Sequence, residues 1–425
     1  MAIAADHRRA TRLRVGRLFD GTGAAAIDDA ALLIIDERIV DVGPDALVAR
    51  PEDARAVHYP GATALPGLMD SHVHVALPPT LDPLATLASE TDDELVVRGA
   101  AAAERMVRAG VTTAYDCGAR GMVGYRVRDA IARGLCVGPR LLVSGRAITQ
   151  TGGHCHFFGG EADGVDGVRE AVRKMLEDEG ADGIKIMATG GGLTPGTDSR
   201  HASYSVAELA AAADEAHRLG KRITSHAHGV PGIRNASEAG IDSIQHCTML
   251  GMDWGWDFDE DVARGMVERG TRAVPTISAG TRAEIESGID INKLQPNPGA
   301  MTREDWWANA RRLIDAGVTV VPGTDVGVNL TDYGEELFFE LEAYVGIGLP
   351  PATAIRMATA GAADHLGIAG TTGTLVAGKV ADILVVSGRP DQDISDLRRS
   401  ELVVRAGTFI QPTPAAPRPV RRAGT

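Results

Sequence analysis

Apolar and polar positions alternate in short runs through residues 11–62. This pattern predicts strands over Arg12–Phe19, Ala31–Asp36 and Arg38–Val42, with Asp20-Gly21-Thr22-Gly23 as a turn. A second set of short runs closes the chain: Gly373–Val376, Ala381–Val386 and Glu401–Ile410. Neither set is long enough to form a sheet that stands alone. The two ends of the chain are therefore expected to pair into one small β-domain, a β-sandwich, from residues 1–64 and 369–425.

Between these ends the period changes to alternating strand and helix. Strands are predicted at Gly67–His74, Val111–Cys117, Arg140–Ser144, Gly183–Met187, Arg222–His226, Ser243–His246, Arg272–Ile277 and Val318–Pro322. Helices intervene, among them Asp92–Ala109, Val168–Glu179, Ser205–Leu219 and Thr302–Ala316. Ser205 with Glu208, and Thr302 with Asp305, have the spacing of N-terminal capping boxes. Eight strands with helical crossovers over residues 65–368 predict an α/β fold, a (β/α)8 TIM barrel. The rival topology is a doubly wound open sheet. It lacks support from the first strand, which no glycine-rich dinucleotide fingerprint follows.

Charge narrows the function. The chain carries 43 Lys plus Arg against 57 Asp plus Glu, a formal charge of −14. Such a surface argues against nucleic acid or an anionic membrane as partner. No apolar run reaches the roughly 18 residues of a membrane span, and charged residues from Asp6 to Arg9 replace a signal core. The four cysteines show no paired spacing, which suits reduced thiols and a cytoplasmic location. The Pro-, Ala- and Arg-rich residues 411–425 read as a tail.

Candidate chemistry sits at the ends of the predicted barrel strands. His72 and His74 are two apart on strand one and so share a face, a ready pair of metal ligands. Asp70 lies on that face and is placed to orient an imidazole. Strand four carries Lys185 between Ile184 and Ile186. Strand five ends in His226 and then His228, strand six in His246, strand eight in Asp325. Each has an ordinary alternative: a snorkelling lysine, a hydrogen-bonded core histidine, a helix cap. Five strands presenting such a residue at the same end make chance a poor account.

This constellation resembles the amidohydrolase superfamily of metal-dependent hydrolases over nearly the whole chain. The resemblance lies in Pro66-Gly-Leu-Met-Asp70-Ser-His72-Val-His74, Gly183-Ile-Lys185-Ile-Met, His226-Ala-His228-Gly229, Ala239 to His246, Pro322-Gly-Thr-Asp325 and Gly373 to Val386. It is greatest to the branch containing imidazolonepropionase-like proteins, Xaa-Pro dipeptidases and ochratoxin-type amidases. It implies two divalent cations, zinc first, with manganese or cobalt as alternatives. His72, His74 and Asp325 would hold one, and His226 and His246 the other. A CO2-derived carbamate on Lys185 would bridge them along with a hydroxide. Burial between apolar neighbours lowers a lysine's pKa, leaving the neutral amine that reacts with CO2. His226 is preferred to His228 as ligand, and His228 is left to touch substrate.

The reaction expected is hydrolysis of an amide-like bond in a small molecule, with Asp325 as general base and then acid. His154, in the loop Gly152-Gly153-His154-Cys155-His156, matches a family histidine that contacts substrate, and no role follows for His156. All four tryptophans follow strands six and seven, and Trp254 and Trp256 are expected to wall an apolar substrate pocket. The alternative is packing, against neighbouring loops or a second subunit. Prolidase-like relatives carry a His-Gly segment after the strand-eight aspartate. Here Tyr333 stands in the comparable place as a substrate contact, which favours a modified acyl amide, carbamate or aryl amide over ordinary dipeptides. Ring opening of a cyclic amide is the enzymatic rival, and a non-catalytic scaffold the rival of another class. The resemblance also implies a homo-oligomer.

Overall fold

A computed structural model describes residues 10–80, 82–279, 302–328 and 331–413. Its strands, in chain order, are β1 (Ala10–Leu18), β2 (Ile27–Ile35), β3 (Arg38–Pro44), β4 (Arg55–Pro66), β5 (Leu68–Val73), β6 (Val111–Asp116), β7 (Arg140–Val143), β8 (Ile184–Met187), β9 (Ile223–Gly229), β10 (Ser243–Leu250), β11 (Arg272–Val274), β12 (Ile383–Ser387), β13 (Ser400–Arg405) and β14 (Thr408–Ile410).

The chain ends do pair. One sheet runs β14-β13-β12-β4-β1-β2-β3. Hydrogen bonding thus makes a single seven-stranded sheet where a two-sheet sandwich was expected. It curls instead of doubling: edge strand β3 bonds to the segment just ahead of central strand β12, through Ile39 N to Lys379 O (2.9 Å) and Gly378 N to Ile39 O (2.8 Å). Curling gathers Leu13, Val15, Leu32, Ile34, Ile383, Val385 and Val404 into one apolar cluster. The alternate residues of β12, Leu384 and Val386, face the other way into the main core. Gly373–Val376, read as a strand, is a bend and irregular segment. The long strand β4 lies beyond the three strands read in this region.

The middle of the chain forms two parallel arcs, β5-β6-β7 and β8-β9-β10-β11. Single bridges mark the seams: Ile148 to Ile186, Ala273 to Val320 and Val73 to Val326. The expected eighth strand therefore appears as an extended segment touching its neighbours at isolated points, and among the described residues no continuous ladder closes the ring. Proline explains much of this. Pro322 has no N–H to offer a ladder, and Pro275 stops β11 three residues short of its predicted end.

Helices cover the arcs. Those at Asp92–Arg108, Val206–Arg218 and Arg303–Asp315 each begin with a complete capping box, at Thr91, Ser205 and Thr302. Buried Asp382 ties the chain-end sheet to the arcs. It accepts from Arg140 Nη1 (2.7 Å), Thr372 Oγ1 (2.8 Å) and Ala406 N (2.8 Å). Among the described residues no helix is long and apolar enough to cross a membrane.

Candidate metal centre

Parallel strands end on one side of the arcs, and there the polar residues converge. His72 is the last residue but one of β5 and His74 follows the strand. Their Nε2 atoms lie 3.4 Å apart, at 3.2 and 3.4 Å from Asp325 Oδ1. The eighth segment delivers that carboxylate, with Asp325 N bonded to His72 O at 2.8 Å. Asp70 does not orient an imidazole as expected. It clamps backbone instead, accepting from His72 N (3.1 Å), Thr324 N (3.1 Å) and Thr324 Oγ1 (2.7 Å). Burial still pushes its carboxyl up to about 7, against those hydrogen bonds.

A second group forms at β9 and β10. The rings of His226, His228 and His246 lie 4.7 Å from one another, His228 and His246 stacked at 16°. His246 also comes within 5.1 Å of His72, which joins the two groups. Two sets therefore offer closely spaced donor atoms suited to a metal ion: His226, His228 and His246, and His72, His246 and Asp325.

Strict alternation along β10 would place His246 on the outward face with Ile244. The backbone breaks that alternation. His246 has φ of +65°, Cys247 +48° and Met249 +52°, and the pairing register shifts between His246 and Leu250. Asp325 is also left-handed, at +58°. Strain of this kind persists only where surrounding contacts over-determine it.

The partners of the rings decide which nitrogen carries the proton. A backbone carbonyl can only accept. His74 Nδ1 meets Gly118 O at 2.9 Å, so Nδ1 is protonated and Nε2 is the nitrogen turned to Asp325. His226 is reversed: its Nε2 meets Gly190 O at 3.0 Å, leaving Nδ1 as the free donor atom. Thr248 Oγ1 donates to His228 O (3.2 Å), so it accepts from His228 Nδ1 (3.2 Å) and frees that ring's Nε2. Burial holds His72, His226 and His246 well below the usual imidazole range and brings His228 to about 4. Burial pulls on His74 too, but Asp325, Asp116 and the Gly118 carbonyl together outweigh it and raise that ring.

Lys185 occupies β8 between Ile184 and Ile186, 1% exposed, and its Nζ has no hydrogen-bond partner. Desolvation lowers its pKa. A buried ammonium without a partner is among the costliest groups a protein can hold. This environment favours the neutral amine, or an amine that has acquired a group able to be satisfied.

His154 reaches the same region, its ring 4.5 Å from that of His226. Gly191 makes the approach possible, since a Cβ there would lie 2.3 Å from His154 Nε2. Burial brings His154 down to about 3. His156 opens a short 3-10 turn and makes an edge contact with Phe157 at 5.8 Å.

The remaining predicted contacts have intramolecular commitments. Tyr333 donates toward His74 O (2.8 Å) and Leu77 O (2.5 Å), bracing the segment that follows β5. Trp256 donates to Asn309 Oδ1 at 3.0 Å. Trp254 lies under the Arg200 guanidinium, 4.3 Å from its ring centroid. Sequence reasoning missed Asp116, a buried carboxyl beside His74 that burial raises to about 6. It also missed Thr276, whose Oγ1 lies 2.9 Å from His246 Nδ1. Asp116 could have been found as the polar end of β6; nothing local marks Thr276.

Residues 63–410 match the amidohydrolase family. The chain is 30% identical to ochratoxinase of Aspergillus niger over 443 residues, covering 94% of this chain and 85% of that protein. It is 27% identical to imidazolonepropionase of Micrococcus luteus, covering 85% and 88%. Among solved structures it is similar to a Xaa-Pro dipeptidase with methionine bound in its active site, at a TM-score of 0.83 and 30% identity, covering 94% of this chain and 99% of that one.

Proposed function

The chain belongs to the amidohydrolase family, and on that premise we propose that it hydrolyses a linear amide-like C–N bond using two divalent cations. Membership implies a hydrolase and a TIM barrel with a small appended domain, with which the two arcs and the chain-end sheet are consistent. The observation that carries the finer reading is Lys185: a buried, desolvated, unpartnered amine in electrostatic contact with His72, His154, His226, His228, His246 and Asp325.

The donor set fits the cations. Imidazole nitrogen and carboxylate oxygen suit zinc, with manganese or cobalt as substitutes. His72, His74 and Asp325 would hold one, His226 through Nδ1 and His246 the other, and carbamylated Lys185 would link them. When bound, such cations polarise a carbonyl and lower the pKa of water to about 7. Asp325 accepts the proton of the attacking water and returns it to the leaving nitrogen. His154, neutral at pH 7, has an unpartnered Nδ1 with which to hydrogen bond the substrate. His228 presents its free Nε2 to the same space.

The substrate class we favour is an N-acyl amino acid, dipeptide or aryl amide with a bulky apolar group. The names of the ochratoxinase and the Xaa-Pro dipeptidase support a linear amide. The test is a mixed library of linear amides, carbamates and cyclic amides incubated with zinc-loaded protein and read by mass spectrometry. Loss of linear amides is expected. Loss of cyclic amides alone would move the protein to ring opening, and no loss with zinc absent from the protein would point to a scaffold.

A further inference from the structure

His246 stands on strained backbone midway along β10, where the pairing register shifts, so strand geometry does not aim its ring. Its Nδ1 contact is Thr276 Oγ1, at 2.9 Å, and both residues are buried. Thr276 is itself anomalous. It has φ of +52°, a conformation that β-branched residues almost never adopt.

Polar contacts hold the turn in that conformation. Trp307 Nε1 donates to Ile277 O at 3.0 Å, and Ser278 N donates to Glu340 Oε2 at 2.7 Å. Ala279 N closes the turn on Thr276 O at 3.2 Å. Glu340 lies on the helix Glu336–Gly346 and is fully buried. The anchors on the two residues after the threonine thus come from two different helices, Arg303–Asp315 and Glu336–Gly346. An asparagine braces the other partner: Asn309 Nδ2 donates to Cys247 O at 2.8 Å.

We propose that Thr276 is a positioning residue that sets the tautomer and ring orientation of His246, accepting from Nδ1–H so that Nε2 faces His72 and Asp325. A hydroxyl can donate or accept, so this proton placement, unlike that of His74 and His226, is not dictated by a carbonyl. It is what a metal-binding role for His246 requires, and in that respect it rests on the function proposed above. The turn of residues 276–278 is clamped because a threonine in ordinary strand conformation would carry Oγ1 away from the ring. Partners of metal-binding histidines typically alter metal affinity by about 10–100-fold when removed.

The test begins with the metal-free protein at neutral pH, labelled with 15N-histidine. Long-range 1H–15N correlation reads the His246 tautomer directly. Nδ1–H is expected in the unmodified chain, and an Nε2–H tautomer there overturns the proposal without any variant. Thr276→Val should lose the fixed tautomer and weaken zinc binding, measured by chelator competition, by about 10–100-fold. Thr276→Ser, which keeps the oxygen, should restore both. A valine variant with the unmodified tautomer and zinc affinity within twofold refutes the role. Zinc binding without hydrolysis of any amide would sink the functional reading and leave the positioning of His246 standing.

Discussion

Asp325 touches both His72 and His74, so replacing its charge while keeping its shape isolates its chemical role. Asp325→Asn should retain much of the bound zinc and lose turnover by about 10²–10⁴-fold, the usual size of a general acid–base contribution. Zinc content and kcat on one preparation decide it, and near-normal turnover would remove Asp325 from proton transfer. Lys185 invites a different substitution. Lys185→Met places a side chain of similar length among the same apolar neighbours. The metal-free variant should be at least as stable to urea as the parent, because it removes a desolvated amine. Its metal content should fall from two ions to at most one. A variant that still binds two would leave Lys185 outside the centre.

Elements hold these residues through few contacts, and those contacts can be weighed. The segment after β5 is braced by the Tyr333 hydroxyl on two backbone carbonyls. Tyr333→Phe leaves both without that donor in a buried place, at a cost of about 1–3 kcal/mol in urea unfolding. A loss below the error of the measurement would show that water substitutes for the hydroxyl. The glycine after β8 works by absence. Gly191→Ala would drive a methyl into His154, so the ring must move. The expected outcome is a KM raised by about tenfold, the 1.4 kcal/mol of one displaced contact, with zinc content unchanged. Loss of zinc instead would place His154 among the groups that hold metal.

At the scale of the molecule, the proposed cations would join the two arcs that backbone hydrogen bonds link only at isolated bridges. Chelation should therefore lower the melting temperature, and the effect should grow with zinc concentration above the dissociation constant. The metal-free protein should also weaken as pH falls from 6.5 toward 4. Burial holds His72, His226 and His246 well below 6.5, His228 at about 4, and His154 and His365 at about 3. The unfolded chain takes up those protons first, at about 1.4 kcal/mol per pH unit for each group. Asp70 (about 7), Asp116 (about 6) and Glu340 (about 8) oppose this, because burial makes them keep protons that the unfolded chain has released. His74, whose pKa is raised, opposes it too, but six imidazoles outnumber these four groups, so the net sign is loss of stability on acidification. Urea midpoints at pH 7 and pH 5 check it.

Much of this was legible in residue order alone. Period-two and period-3.6 patterns located β5 to β10, and capping-box spacing marked helix starts at Ser205 and Thr302 to the residue. Polar residues closing apolar strand runs named His72, His74, Lys185, His226, His246 and Asp325 as one set, because local pattern locates the ends of strands even where it does not fix the face a side chain occupies. What periodicity cannot express is a break in itself. The left-handed backbone at His246, Thr276 and Asp325 is imposed by contacts from distant helices and strands, not by local propensity. The same holds for Tyr333, whose hydroxyl is spent on carbonyls more than 250 positions away. One curled sheet in place of a sandwich, and two arcs meeting at single bridges, were likewise decided by the tertiary structure. Strand order and closure depend on which edges meet in space, and on prolines that deny a ladder its donors.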